Sequence, residues 1–167
     1  PISEFITSHP TPDENSVLAA KTVLKYTSKI NKHDLSINLI SGGGSSLVCL
    51  PHDNITLKDK VLVNSLLLRC GANINEINTI RKHLSQIKGG RLSEHVQPAH
   101  SISLIISDVI NDDVSSIASG PTSIDYTTYK DALDIIYRYK IETEIPTNVM
   151  DLLKKGEGGV VPESPKN

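Results

Sequence analysis

Several absences narrow the reading before any motif is considered. The chain has two cysteines, Cys49 and Cys70, without CxxC spacing. Neither a disulfide framework nor a zinc site is indicated, and both thiols read as small buried apolar groups in a reducing, cytoplasmic compartment. No apolar run approaches the ~18 residues that a membrane helix requires. The opening segment, Pro1-Ile2-Ser3-Glu4-Phe5-Ile6-Thr7, lacks the basic region and apolar stretch of a signal peptide. It also lacks an initiator methionine, so the chain is expected to be cut or processed from something longer. A net charge of −2 offers no general attraction to phosphate backbones, which argues against a nucleic-acid partner. There are no internal repeats. What remains is 167 residues, 38% hydrophobic and 22% charged. That length and balance suit one soluble globular domain with a single core.

Hydrophobic periodicity supplies the elements. Ile2–Thr7 alternates weakly and reads as a short strand, followed by an extended turn at His9-Pro10-Thr11-Pro12-Asp13. Val17, Ala20, Leu24 and Thr27 predict a helix from about Asn15 to Ile30, capped by Asp13 or Asn15. Ser36–Ile40 reads as a strand. Thr56 opens a second helix with Asp59 at N3, burying Leu57, Val61, Leu62, Ser65 and Leu68 and stopping at Gly71. A third helix, about Ile74–Lys88, is expected to bury Ile77, Ile80, Leu84 and Ile87. Ser101–Ser107, nearly continuous in apolar residues, reads as an interior strand of a parallel sheet covered on both faces. Thr128–Tyr139 predicts another helix, and a short one after Pro146 runs to Lys155. Residues 156–167 read as a linker or tail, leaving 1–155 as the domain. Alternating strands and helices imply an incomplete three-layer α/β/α Rossmann-like sandwich with a mostly parallel sheet. Ligands in such folds gather beyond the carboxyl ends of strands.

Both central strands end in unusual polar loops. The first is Ser41-Gly42-Gly43-Gly44-Ser45-Ser46. Without side chains, the amides of Gly42 to Ser45 can approach an anion; the bland alternative is a tight turn where strand and helix pack closely. It is not a Walker A sequence, since no Lys-Ser/Thr follows. Nor is it a complete GxGxxG fingerprint, because the third glycine position falls on Leu47. The second loop, Ser107-Asp108-Val109-Ile110-Asn111-Asp112-Asp113, could hold Mg²⁺ or accept a hydroxyl proton, or could merely start a helix. The helix-start role is assigned to Asp113 and the functional one to Asp108. Between them, Asn78, Arg81, Ser85 and Lys88 share a polar stripe beside the isoleucine face, suited either to binding carboxylate or phosphate or to ordinary snorkelling at a core edge. His83 lies off that stripe and reads as a surface or capping residue. Ala118-Ser119-Gly120-Pro121-Thr122 is a small-residue turn carrying hydroxyls.

Five segments, in this order, resemble the glycerate 2-kinase family, two-domain kinases with a MOFRL C-terminal domain. They are His9–Glu14, Leu39–Ser46, Ile77–Leu92 (with its Lys88-Gly89-Gly90-Arg91), Leu104–Val109 and Ile117–Thr122. The resemblance covers nearly the whole chain and implies ATP-dependent phosphorylation of D-glycerate to 2-phosphoglycerate with Mg²⁺. It places Asp108, Arg81 and Lys88 as catalytic candidates. Ser41, Gly42, Gly43, Gly44, Ser45, Arg91, Ser119, Gly120 and Thr122 become substrate or phosphate binders, and Asp108, Asn111 and Asp112 metal ligands. The implied partners are D-glycerate, a nucleotide and a C-terminal domain or complementing chain, with a homo-oligomer open. Against the family pattern, Ser8 replaces a usual glycine. The glycine-lysine segment expected ahead of Pro1 and the C-terminal domain lie outside this sequence. Two rivals remain open: a hydroxypyruvate reductase and a non-catalytic anion-binding domain.

Overall fold

Two parallel strands carry the candidate loops. β1 (Leu35–Ile40) and β2 (His100–Ile105) pair in register from Leu35 opposite His100 to Ile40 opposite Ile105. The computed structural model describes residues 2–166. The helices are α1 (Glu14–Thr27), the short α2 (Gly44–Leu47), α3 (Leu57–Arg69), α4 (Ile74–His83), α5 (Arg91–Val96), α6 (Tyr129–Arg138) and α7 (Thr147–Glu157). Between β1 and β2 run α2 to α5, so the strands are joined by a helical crossover, the connection that parallel pairing demands. Strands and helices together make an incomplete α/β fold. No helix among the described residues is long and apolar enough to cross a membrane.

Local chemistry explains where the helices begin. Asp13, Thr56, Asn73 and Thr128 each accept from the N3 amide, and the N3 side chain answers the cap amide. These reciprocal boxes satisfy donors that would otherwise be orphaned. Asp13 is thus the cap of α1, and Thr56 with Asp59 opens α3 as the sequence predicts.

The main core lies among α3, α4, α6 and α7, with Leu67, Ile80, Leu84, Leu133, Ile136 and Leu153 inside. A smaller cluster, Ala20, Leu50, Ile87, Leu92 and Val96, ties α1 and α5 together. Gly156 sits where α7 crosses the buried Tyr129; a Cβ there would lie 2.2 Å from that ring. Helix propensity alone favours Gly156→Ala by about 1 kcal/mol. Overpacking against a ring with nowhere to go reverses the sign, and a net loss of about 1–3 kcal/mol is expected. A lower melting temperature for Gly156→Ala checks it; a higher one contradicts the packing.

Several sequence expectations are corrected. Residues 2–7 form no strand, since no neighbouring strand pairs with them, and Ile2 and Ile6 are exposed. The third helix ends at His83, yet Ile77, Ile80, Leu84 and Ile87 are all buried as expected. The α3 stripe is inverted: Lys60, Val63, Leu66 and Leu67 are buried, while Leu62 and Leu68 are exposed. That helix is apolar on opposite sides, so periodicity alone could not choose the face. β2 is not covered on both faces. Leu35, Ile37, Leu39, Ile102, Leu104 and Ile106 form one exposed aliphatic face, and Leu39 is 77% exposed. On the opposite face Asn38 donates to Ser101 (2.9 Å) and Ser103 to Thr122 (2.9 Å).

Beyond α7, residues 163–166 are held against the helices and the 125–129 segment. Glu163 accepts from the Tyr129 amide at 2.8 Å and meets Nε2 of His83 at 3.1 Å. His83 is therefore fully buried, edge-on to the Tyr129 ring at 4.6 Å, rather than a surface residue.

Candidate active site

The two strand-end loops meet. Asp108, just beyond β2, lies directly over Gly42, just beyond β1: a Cβ on Gly42 would stand 2.0 Å from the Asp108 carboxylate. Gly43 has φ of +79° and faces the ring of His9, while Gly44 faces the methyl of Ala118. Each glycine thus admits a different wall, so the tight-packing reason for the triple glycine holds. The anion-facing reason also keeps material. The Gly44 amide bonds Ser41 O at 3.4 Å, and those of Ser46 and Leu47 turn to Gly43 O. Among the described residues, the amides of Gly42, Gly43 and Ser45 have no partner.

Gly42→Ala separates the two effects. The clash is with a side chain that can swing into solvent, so the melting temperature should change little. Asp108 should be displaced and ligand binding to the site weakened about tenfold or more. A large fall in melting temperature with binding intact would contradict this geometry.

A cavity of about 440 Å³ opens beside the loops. Gly43, Ser45, Arg81, Lys88, Asp108 and Ser119 all line it, six of the sequence candidates in one place. Arg81 is braced by Asn64, whose Oδ1 accepts from Nε at 2.9 Å and from Nη2 at 2.6 Å. That leaves the rest of the guanidinium fork uncommitted. Lys88 donates to Ser45 O at 2.7 Å and Val48 O at 3.4 Å, so it also clamps the loop that follows the glycines. Burial first, and the like charge of Lys60 second, bring the Lys88 ammonium down to about 7. Ser119 joins Ser45 (2.9 Å) to Asn78 (3.2 Å), and both Ala118 and Ser119 sit at positive φ. Left-handed backbone at two successive non-glycine residues costs free energy and concentrates at functional sites.

Other candidates lie elsewhere. Arg91 is buried and turns its guanidinium to the carbonyls of Lys82 and Lys88, capping the end of α4 instead of facing the cavity. Thr122 is occupied by Ser103 beneath the sheet, and Gly120 caps the 117–119 turn at φ +59°. Ser41, Gly42 and Gly44 back the loop without lining the cavity. Asn111 and Asp112 are exposed and outside it, so the expected ligand trio with Asp108 is not assembled. Among the described residues no three His, Cys, Asp or Glu side chains are placed to hold a metal. The donor set fits an ion carried on phosphates, which needs one protein carboxylate, and Asp108 is the acid that lines the cavity. Asp113 accepts from the Ser116 hydroxyl and the Ser115 amide in a local turn and starts no helix, unlike the expectation. Sequence reasoning missed Lys60, Asn64, Cys49 and His9, which also line the cavity. A lysine inside the apolar arc of α3 was the available signal for the first.

The family model described as Domain of unknown function (DUF4147) matches residues 2–154. A protein of Pyrococcus horikoshii named glycerate 2-kinase is 46% identical over 158 residues, covering 95% of this chain and 36% of that protein. A putative hydroxypyruvate reductase of Agrobacterium vitis is 49% identical, covering 95% and 35%. A crystal structure of a Pyrococcus horikoshii protein superposes with a TM-score of 0.95 at 44% identity, covering 98% of this chain and 37% of that one. The chain therefore spans about a third of the length of the relatives it matches.

Proposed function

The chain belongs to the DUF4147 family, and from that premise we propose that it forms one wall of the active site of a glycerate 2-kinase. The observation that carries this reading is the meeting of both strand-end loops with Arg81 and Lys88 in one cavity. The identity with a relative named glycerate 2-kinase supports it. The reaction moves the γ-phosphoryl of ATP to the 2-hydroxyl of D-glycerate.

Phosphoryl transfer asks mainly for positioning and for positive charge where the equatorial oxygens gather charge. Arg81 supplies planar donors, and the free amides of Gly43 and Ser45 supply fixed dipoles. Lys88 keeps the loop in place through Ser45 O and lends charge. Asp108 stands where it can take the proton of the attacking hydroxyl or hold Mg²⁺ on the nucleotide phosphates, the ion neutralising phosphate charge when bound. The exposed aliphatic sheet face and the open side of the cavity are to be closed by polypeptide corresponding to the rest of the relatives' length. Two free thiols suit a reducing, cytoplasmic setting.

The reductase name of one relative finds less support. The third fingerprint position is Leu47, in α2, where the dinucleotide pattern uses glycine for close packing of helix on strand. Calorimetry of this chain with ATP–Mg²⁺, D-glycerate and 2-phosphoglycerate tests the proposal, together with ADP formation after mixing with the remaining two-thirds of a relative. Binding of 2-phosphoglycerate and glycerate-dependent ADP release uphold it. NADH oxidation by hydroxypyruvate, or no binding of any of these ligands, overturns it.

A further inference from the structure

Lys60 has no role in the reading above, and its surroundings are electrically incomplete. It lies on α3 at the border between the core arc and the cavity wall, 8% exposed. Its Nζ is buried without a hydrogen-bond partner among the described residues. Its polar and charged neighbours are the buried Cys49 thiol, Arg81, Arg91 and Lys88. One helical turn along α3, Asn64 holds the Arg81 guanidinium, so the same face of one helix carries one cation and braces another. On the far side, Lys88 is pinned between Ser45 O and Val48 O, next to Cys49. Three basic side chains therefore converge on one cavity, and among the described residues the only acid lining it is Asp108. Burying an unpaired ammonium is costly, and burial accordingly holds Lys60 below the ordinary lysine value, with the Cys49 side chain opposing and Arg81 adding to the effect.

We propose that Lys60, Arg81 and Lys88 form a proton-coupled subsite for a dianionic phosphoryl group, in which the buried Lys60 acts as a positioning charge behind the two cations that face the ligand. The proposal rests on the kinase reading for its ligand class, yet it can stand or fall alone.

Lys88 titrates near neutrality in the free protein because burial and then Lys60 disfavour its charged form, with Arg81 adding to the effect and the Cys49 side chain opposing it. A bound dianion favours the ammonium. Burial lowers Lys60 as well, so binding above pH 7 must draw protons onto the Lys60–Lys88 pair, and affinity must fall as pH rises from about 7 toward the ordinary lysine range. Removing Lys60 lets Lys88 keep its proton to higher pH, so less is taken up on binding.

Sulfate is the suitable probe, because it carries two charges and no proton that titrates near neutrality. Calorimetry of the full chain at pH 8, in two buffers of different ionisation enthalpy, should show net proton uptake with sulfate. Lys60→Met should melt higher in the absence of anions, bind sulfate about tenfold more weakly and take up fewer protons. Lys60→Arg should retain affinity. If Lys60→Met does not fold, Lys60→Gln and the proton uptake of the unaltered chain still decide the matter. Unchanged affinity and uptake on removing Lys60, or no uptake in the unaltered chain, overturns the proposal. Uptake with D-glycerate but not with phosphate or sulfate also overturns it, assigning the pocket to a carboxylate. Sulfate binding with proton uptake but no glycerate-dependent ADP formation would sink the kinase reading and leave the subsite standing.

Discussion

Asp125→Ala is expected to destabilise this chain by about 3–5 kcal/mol, the range for stranding one member of a buried ion pair. Asp125 has no exposed side-chain surface, and its Oδ1 stands 3.3 Å from Nζ of Lys82, itself 6% exposed. The same carboxylate accepts from the amide and hydroxyl of Thr127 and from the Ser164 hydroxyl at 2.9 Å. Alanine leaves the buried Lys82 ammonium and Ser164 hydroxyl, and the part-buried Thr127 hydroxyl, without their acceptor. Thermal or urea unfolding measures the loss. Replacing Lys82 by Met in the same background should recover much of it, because an apolar pair of similar volume can equal a buried ion pair. A double variant as unstable as Asp125→Ala would argue that the hydroxyl contacts dominate.

The pH dependence follows from the same group. Burial pushes the Asp125 carboxyl up, but the Thr127 hydroxyl, the Lys82 ammonium and the Thr127 amide together outweigh it and hold it below the ordinary carboxylate value. A depressed carboxyl stabilises the fold above its unfolded value of 3.8 and loses that contribution as pH falls through the folded value. The unaltered chain should thus lose stability on acidification below about pH 4, and Asp125→Ala should lack that component.

The second large effect concerns chemistry. In the chain completed by the rest of a relative's polypeptide, Asp108→Asn should lower glycerate-dependent kcat by about 10²–10⁴-fold, the range for losing a positioned general base. The amide keeps the shape that rests on Gly42 but neither carries charge nor accepts a hydroxyl proton. Binding of 2-phosphoglycerate to the variant should persist, since Arg81, Lys88 and the free loop amides remain. Near-normal turnover would remove Asp108 from the mechanism. Lost binding together with a lowered melting temperature would make its role structural.

Much of this architecture follows from short-range rules. The helix starts at Asp13, Thr56 and Thr128 follow from side chains three residues apart that answer each other's amides. Such bonds close within one turn and need no distant partner. The two strands, and the polar loops after Ile40 and Ile105, likewise follow from apolar runs interrupted by glycine and aspartate. Gly43, Ser45, Arg81, Lys88, Asp108 and Ser119, candidates from the two loops, the polar stripe and the family resemblance together, do converge.

Packing between elements settled what period and spacing leave open. α3 has apolar residues on opposite sides, and burial against α4 chose Val63, Leu66 and Leu67, carrying Lys60 to the cavity wall. A long cation reaches in a direction that its place in the sequence does not set. Arg91 turned to the carbonyls of Lys82 and Lys88, while Lys88 turned to those of Ser45 and Val48 at α2. His83 went inside because Glu163, eighty positions away in the chain, met it there. Alternation and helical period state which residues travel together; the free energy of joining surfaces remote in sequence states which of those groups is buried.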